Sequence, residues 1–410
     1  MSGTSLNGSL KSNSTSENSL FSLNKKVYSN LLLQKSSYYY ANDEIDENNE
    51  SDVPLPHGLS LNNLSTEHLP TLSRVNSHSP SPLTFKSTRD YSRLMNESTV
   101  KDSKFVFVLV GLPAVGKSAV SSQLIQFLRN NPATHSLRCT SFNAGKVRRK
   151  MSYRNLGMRS MQLANNSSDD LFSPKNTEKK EKYARITLDK LIKELDSDIC
   201  DVAIFDATNS QVQRRKFVFS EISSYNQDIH SNFSIIPIVL QITCDDQSFV
   251  KFNIHNKTFN EDYFDKPYHY AIADFARRLK NYCSQFTPFS KNEFALLVDS
   301  FDTKGLNSGL FAYNIINSGL VSTTSINSRH LPANCSDKVM EMIMLAEYFV
   351  EHYASLFGSS YIERVKDFFS EQKQNHLKLG SLDYFSSLSA VLDENYFIEL
   401  QEILEKNLGK

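Results

Sequence analysis

The pattern of apolar and polar positions divides this chain near residue 100. Before that point leucines and tyrosines are scattered among Ser, Asn and Lys, and Pro54, Pro56, Pro70, Pro80 and Pro82 break any period. Such a stretch cannot bury enough apolar area to offset the entropy of ordering it, so residues 1–100 are expected to form a disordered arm, with a short helix near 31–40. Regular patterning begins at Lys104. Residues 105–110 are an uninterrupted apolar run of the length of a buried parallel strand. Helical spacing follows over 118–129, through Val120, Leu124, Phe127 and Leu128, and then a second strand over 137–142. Ile186, Leu188, Leu191, Ile192 and Leu195 predict a helix over 179–195, and 202–205 a third, fully buried strand. A helix over 211–223, a strand over 235–242, a helix over 268–286 and a last strand over 294–298 continue the alternation. Strand and helix in turn call for an α/β fold, a mostly parallel sheet covered on both faces. The apolar segment 339–357 carries Glu341, Glu347, Glu351 and His352, which makes it an amphipathic helix, ended by Gly358, rather than a membrane span, and its apolar face is expected to pack on the α/β core or on a second subunit.

Composition refines this picture. The 410 residues exceed what one core usually organises, and they divide into an arm (1–100), an α/β domain (101–320) and a helical tail (321–410). Lys and Arg total 45 and Asp and Glu total 45, so no global field draws the protein to nucleic acid or to an anionic membrane. Any anion site must be local. The five cysteines are scattered and form no Cys-x-x-Cys pair, and the polar amino terminus lacks the apolar core of a signal peptide, so a cytoplasmic location is expected. Within the arm, Ser77 lies three residues after Arg74, and Ser79 and Ser81 each precede a proline. That is the look of sites for a partner protein kinase, set against the plainer reading of a solvated serine-rich tail.

The chemistry begins at the first turn. Gly111, Leu112, Pro113, Ala114, Val115, Gly116, Lys117 and Ser118 satisfy Gly-x4-Gly-Lys-Ser/Thr, between an apolar strand and a helix. There the glycines let backbone N–H groups curl around phosphate oxygens, the helix start adds its dipole, Lys117 reaches the terminal phosphates and Ser118 can hold magnesium. A carboxylate near the metal is needed as well. Asp206, closing the apolar run 202–205, supplies it, although such an Asp taken alone is more often a helix cap. Cations then gather near strand ends: Lys146, Arg148, Arg149 and Lys150 after the second strand, Arg214 and Arg215 after the third, and Arg277 and Arg278 in a later helix. Ligands of open parallel sheets bind at the carboxyl ends of strands, so the first two groups should converge there on an acceptor that itself carries phosphate.

Four segments in this order and spacing resemble the kinase domain of the 6-phosphofructo-2-kinase/fructose-2,6-bisphosphatase family: 111–118, Phe142-Asn-Ala-Gly-Lys-Val-Arg-Arg, Phe172-Ser-Pro-Lys-Asn, and Phe205-Asp-Ala-Thr-Asn with Arg214-Arg215 behind it. The likeness extends through Cys244-Asp-Asp and Asp274-Phe-Ala-Arg-Arg, over about residues 104–320. It implies a P-loop kinase three-layer fold that moves the γ-phosphate of ATP, with Mg2+, to the 2-hydroxyl of fructose 6-phosphate, making fructose 2,6-bisphosphate, a regulator of glycolysis. By the same resemblance Lys117 and Ser118 hold nucleotide phosphates and magnesium, and Asp206 orients either the metal or the acceptor hydroxyl. Lys257 contacts the transferred phosphate and Asn253 belongs to the nucleotide site. Arg148, Thr208, Arg214, Arg278 and Tyr282 hold fructose 6-phosphate, and Arg185 stands in for an arginine of the preceding helix, two residues out of register. A homodimer is among the expectations.

Two departures qualify the resemblance. Val115 replaces an arginine common in these loops, which predicts altered nucleotide affinity rather than lost activity. Where many relatives begin a phosphatase domain with Arg-His-Gly-Glu, this chain reads Ser328-Arg329-His330-Leu331-Pro332 with only about eighty residues to follow. His330 is therefore expected to be a surface residue of a remnant, and the enzyme a kinase without phosphatase activity. Two rivals stand beside it: a P-loop kinase for another phosphorylated small molecule, and a non-catalytic regulator that binds nucleotide or sugar phosphate.

Overall fold

The structure, a computed structural model, describes residues 102–154, 177–263, 266–306, 308–321, 327–332, 334–375 and 384–408. The expected arm with Ser77, Ser79 and Ser81, and the segment 172–176, lie outside the described residues. Everything described belongs to the unit Thr99–Lys410.

Five parallel strands and one antiparallel edge form a single sheet. β1 (Asp102–Val110) is followed by α1 (Lys117–Asn130), β2 (Cys139–Asn143), α2 (Ala144–Arg154), α3 (Thr177–Asp196), β3 (Val202–Asp206), α4 (Val212–Gln227) and β4 (Phe233–Thr243). Then come α5 (Gln247–Lys257), α6 (Tyr268–Cys283), α7 (Lys291–Thr303), β5 (Leu310–Ile316) and β6 (Ser328–His330). The chain ends in α8 (Asp337–Glu351), α9 (Ser359–Asn375), α10 (Tyr384–Val391) and α11 (Glu394–Leu408). The strand order is β2-β3-β1-β4-β5-β6. From β1 the chain runs to the outer strand β2, returns inward to β3 beside β1, then crosses to β4 and β5 on the other side, so strand order reverses about β1 and a crevice opens at its carboxyl end.

Alternate residues of β1 serve two cores. Phe105, Phe107 and Leu109 face α1 and α8, where Leu124, Leu128, Ile343 and Phe349 are buried. Val106 and Val108 face α3 and α4, and Val110 faces α6, α10 and α11. A strand buried on both faces must be apolar at every position, which is why the strand signal of β1 and β3 is a continuous run.

Two sequence expectations change. Residues 294–298 are not a strand but part of α7. Ser290 caps that helix by accepting the Glu293 N–H, and Phe294, Leu297, Val298 and Phe301 fall at helical spacing toward the core. The last parallel strand is β5 instead. The amphipathic tail helix stops at Glu351, not at Gly358, and a π-helical turn, Ala354–Gly358, leads directly into α9. Gly358 marks a close crossing: a Cβ there would lie 2.4 Å from the Ser318 carbonyl oxygen. Gly319, at φ 82, faces the same turn, where a Cβ would meet the Ala354 nitrogen at 2.7 Å. The residues after 320 join the sheet and its core, as β6 pairs with β5 (Phe311 with Arg329) and α8 fills the core beneath. His330 lies on that edge strand, 3.7 Å from Asp302.

Candidate active site

The loop between β1 and α1 has the shape its residues dictate. Gly111 accepts no side chain, since a Cβ would lie 2.3 Å from the Ile242 carbonyl oxygen. Gly116, at φ 97, is the N-cap of α1, and Ala114 takes a left-handed φ of 62. The first turn of α1 has no acidic residue and no side-chain cap, so its amides and the positive end of its dipole are left for an anion. Leu112 is buried, Pro113 half-buried, and Val115 packs between the two cores that flank the loop. Lys117 is 8% exposed and donates to the carbonyl oxygens of Gly111, at 3.0 Å, and Leu112. Burial lowers its pKa to about 8, further depressed by Lys257 and opposed by Asp206.

Strand register brings the metal-type ligands together. Asn143 and Asp206 are direct partners at the ends of β2 and β3. The Ser118 hydroxyl donates to Asp206 Oδ2 at 2.7 Å, and the Asn143 amide donates to the same oxygen. Asp206 is 4% exposed, while Ser118 is open to solvent. A buried carboxylate and a hydroxyl, both hard oxygen ligands, suit Mg2+ with its remaining positions on water and phosphate, while the Asn143 NH2 orients the carboxylate and its oxygen accepts the Lys146 N–H. Among the described residues there is no cluster of three His, Cys, Asp or Glu side chains that would hold a metal by protein ligands alone. Asn143 was not assigned from sequence, and its place one residue beyond the apolar part of β2 is the signal that could have found it.

Lys257 ends α5 on the rim. Its side chain is solvent-exposed, yet its pKa is lowered, first by burial among the surrounding groups and then by Arg149, with Asp206 and Asp262 acting oppositely. Thr208, half-buried, lends its carbonyl to the Gly111 N–H at 3.0 Å and so ties the end of β3 to the loop.

On the other side of the cleft the expected arginines do converge. Burial raises the pKa of the Tyr282 phenol, and Arg148, Arg214 and Arg278 each pull it back, so all three charges act on one ring. Each is held by a carboxylate. Arg148 of α2 donates through one guanidinium nitrogen to both oxygens of Asp262, at 2.8 and 2.7 Å, and Arg214 of α4 makes a two-nitrogen fork to Glu181, at 2.6 and 2.6 Å. Arg278 of α6 lies 2.8 Å from Asp274, which also accepts the Tyr263 hydroxyl at 2.6 Å. Burial pushes the Asp262 carboxyl up, but Arg148, Arg149 and Arg278 together hold it below the usual carboxylate range.

Other expected residues lie elsewhere. Arg215 turns away from the cleft into a fully buried pair with Glu293, and it also donates to the carbonyls of Asn209 and Thr287. Arg277 is exposed beside Asp274, and Lys146 and Lys150 are exposed on α2. Arg185 lies over the Phe217 ring, 3.9 Å from its centroid, outside the arginine group. Asn253 of α5 accepts the hydroxyl of Tyr361 from α9, at 3.0 Å. An open depression of about 640 Å³ between α3 and α4, lined by Asp189, Lys193, Glu221 and Tyr225 among others, mixes both signs of charge and lies away from the loop. No described helix is long and apolar enough to cross a membrane.

A parallel sheet whose order reverses at β1, with a Gly-x4-Gly-Lys-Ser loop at that strand's carboxyl end, defines a three-layer α/β protein of the P-loop class. Within that class the chain belongs to the 6-phosphofructo-2-kinase family, whose model matches residues 92–332. It is 34% identical over 217 residues to 6-phosphofructo-2-kinase 1 of Saccharomyces cerevisiae, covering 52% of this chain and 24% of that one. It is 28% identical over 222 residues to a probable 6-phosphofructo-2-kinase of Schizosaccharomyces pombe, covering 52% and 29%. A third relative, the fructose-2,6-bisphosphatase of Saccharomyces cerevisiae, is 29% identical over 202 residues, covering 48% and 39%. The chain thus spans well under half the length of these relatives. The crystal structure of a fungal RNA kinase aligns with 72% of this chain and 98% of its own at 12% identity and a TM-score of 0.30, too loose a likeness to bear on fold or function.

Proposed function

We propose that this protein transfers the γ-phosphate of ATP to the 2-hydroxyl of fructose 6-phosphate, in the cytoplasm and without phosphatase activity. The observation that carries the reading is the pairing, in one crevice, of a phosphate loop with a Ser118–Asp206 metal position and, opposite, three arginines acting on Tyr282. Phosphoryl transfer needs alignment and charge neutralisation more than covalent chemistry. Lys117 and the loop amides would hold the ATP phosphates, and Lys257 would stand against the group in transit. Magnesium held by Ser118 and Asp206 would supply neutralisation of the phosphate oxygens. Arg148, Arg214 and Arg278, with Thr208 and Tyr282, would hold the acceptor. Arg185, over Phe217, is left out of that set. We assign Asn253 to the nucleotide side on resemblance alone. The tail, a remnant of a phosphatase domain in this reading, serves the fold, and the arm is a substrate for a protein kinase.

Incubated with MgATP and fructose 6-phosphate, the purified chain should release ADP and an acid-labile bisphosphate, and Lys117→Ala should lose at least about a hundredfold in rate, the scale of removing one transition-state donor. No product from well-folded protein sinks the reading. A non-catalytic regulator remains the second reading, favoured by one observation: Arg148 and Arg214 already hold bidentate carboxylates, so an incoming phosphate must displace Asp262 and Glu181 or share with them. Binding of both ligands without turnover would decide for it. A kinase for another phosphorylated small molecule would show as ATP consumption with a different sugar phosphate.

A further inference from the structure

Backbone pairing between β1 and β3 stops at Val108 and Phe205, just before Asp206, although the groups suited to chemistry lie beyond that point on both chains. Two hydrogen bonds carry the connection onward. The Gly111 N–H donates to the Thr208 carbonyl at 3.0 Å, and the side-chain amide of Asn209 donates to the Leu109 carbonyl at 2.7 Å. Asn209 thus supplies from its side chain the donor that a longer ladder would have drawn from its backbone. It fastens the strand that enters the phosphate loop to the segment that carries Asp206 and Thr208.

Asn209 holds this place against two penalties. It is fully buried with a φ of 44, and its Oδ1 has no hydrogen-bond partner among the described residues. A left-handed φ disfavours any side chain, and a buried acceptor left unmet has given up water for nothing. Such features persist only where the surroundings over-determine them. Arg215, itself fully buried on Glu293, does so here: one of its nitrogens donates to the Asn209 carbonyl and to the Thr287 carbonyl, both at 2.9 Å. Glycine would take this φ without strain and would leave no orphaned oxygen, but it carries no donor for Leu109. What asparagine adds over glycine is the bond across to β1. Being out of solvent, Asn209 acts on the crevice only through the two segments it joins.

We propose that Asn209 is a positioning residue for phosphoryl transfer, setting the phosphate loop in register with Asp206 and Thr208 so that donor and acceptor meet in line. This rests on the proposed function insofar as it takes the crevice to join ATP to an acceptor. Without the tie each side would still bind its own ligand, and the loss would fall on their mutual alignment, which is felt in turnover. The test compares the full chain as wild type, Asn209→Gly, which keeps the φ, and Asn209→Asp, which keeps the shape but sets an oxygen against the Leu109 carbonyl. Both variants should lower kcat with MgATP and fructose 6-phosphate by about tenfold or more, while calorimetric Kd values for ATP and for fructose 6-phosphate each stay within about threefold of wild type. Amide hydrogen exchange at Gly111 should quicken in both, and that of residues 105–108 should not. A kcat per folded molecule within about threefold of wild type overturns the inference, whatever the melting temperature, as does a loss carried wholly by weaker binding. If wild type turns over another sugar phosphate in place of fructose 6-phosphate and the variants lose kcat alike, the role of Asn209 stands and the proposed substrate falls. Wild type that turns over no sugar phosphate overturns both. Thermal melts give the folded fraction, and Asn209→Ser replaces either variant that does not fold.

Discussion

Lys117 carries its charge in a place that opposes it. Its pKa of about 8 against the ordinary 10.5 means the folded chain releases this proton earlier than the unfolded one. Between those values the unfolded state binds more protons, so the contribution of Lys117 to stability rises with pH there and the cost of burying the ammonium is fully felt below about 8. The gap corresponds to at most about 3 kcal/mol, at about 1.36 kcal/mol per pH unit. Denaturation of wild type and Lys117→Met between pH 7 and pH 10.5 should therefore show the stability difference moving in favour of wild type as pH rises. Nucleotide affinity of wild type should fall over the same rise, because the neutral amine loses its hold on phosphate. Asp206 invites a second measurement. With the Ser118 hydroxyl and the Asn143 amide on one of its oxygens, Asp206→Asn should cut the response of ATP binding to added magnesium by about tenfold or more while the fold persists. Lys117, Ser118 and Asp206 were readable because a motif is a statement about adjacent residues. Asn143 and Glu181 were not, since their partners lie on other strands and helices.

At the scale of elements, the buried Arg215–Glu293 pair joins the start of α4 to α7 and holds the Asn209 carbonyl just past the end of β3. Removing one partner strands a buried charge, so Glu293→Ala should cost about 3–5 kcal/mol in chemical denaturation. Glu293→Gln, which keeps two hydrogen-bonding atoms, should cost less. Sequence alone placed Arg215 beside Arg214 as a phosphate ligand. Adjacent residues on a helix point about 100° apart, and that rotation sends one into the cleft and the other into the core. The same limit explains 294–298, where a five-residue apolar run reads equally as strand or helix until the cap at Ser290 and the partner of Glu293 are seen.

Across the whole molecule, the residues beyond 320 complete the sheet and the core. β6 covers the β5 edge, Arg329 pairs with Glu347 of α8, and Phe349 and Val350 of α8 are buried with Phe105 and Phe107. α9 sets Tyr361 and Phe368 against Phe252 of α5, and α10 and α11 bury Leu388, Tyr396 and Leu400 with α6. A chain cut after residue 320 would bare these apolar faces, and it should be recovered aggregated or without a cooperative melt. Gly358→Ala is a milder probe of the same assembly. Its methyl would meet the Ser318 carbonyl, and a loss of about 1–3 kcal/mol is expected in denaturant titration.

Read alone, the sequence determined the alternation of strands and helices, the phosphate loop, the carboxylate that closes β3 and the family. All of these are local patterns, set by periodicity and by short spacings. Only the tertiary structure decided which cations share Tyr282, which carboxylates restrain them, and which faces of the tail helices meet which part of the core. Those facts depend on strand order and on the rotation of each helix about its axis, quantities that arise when separate elements pack and that no single segment contains.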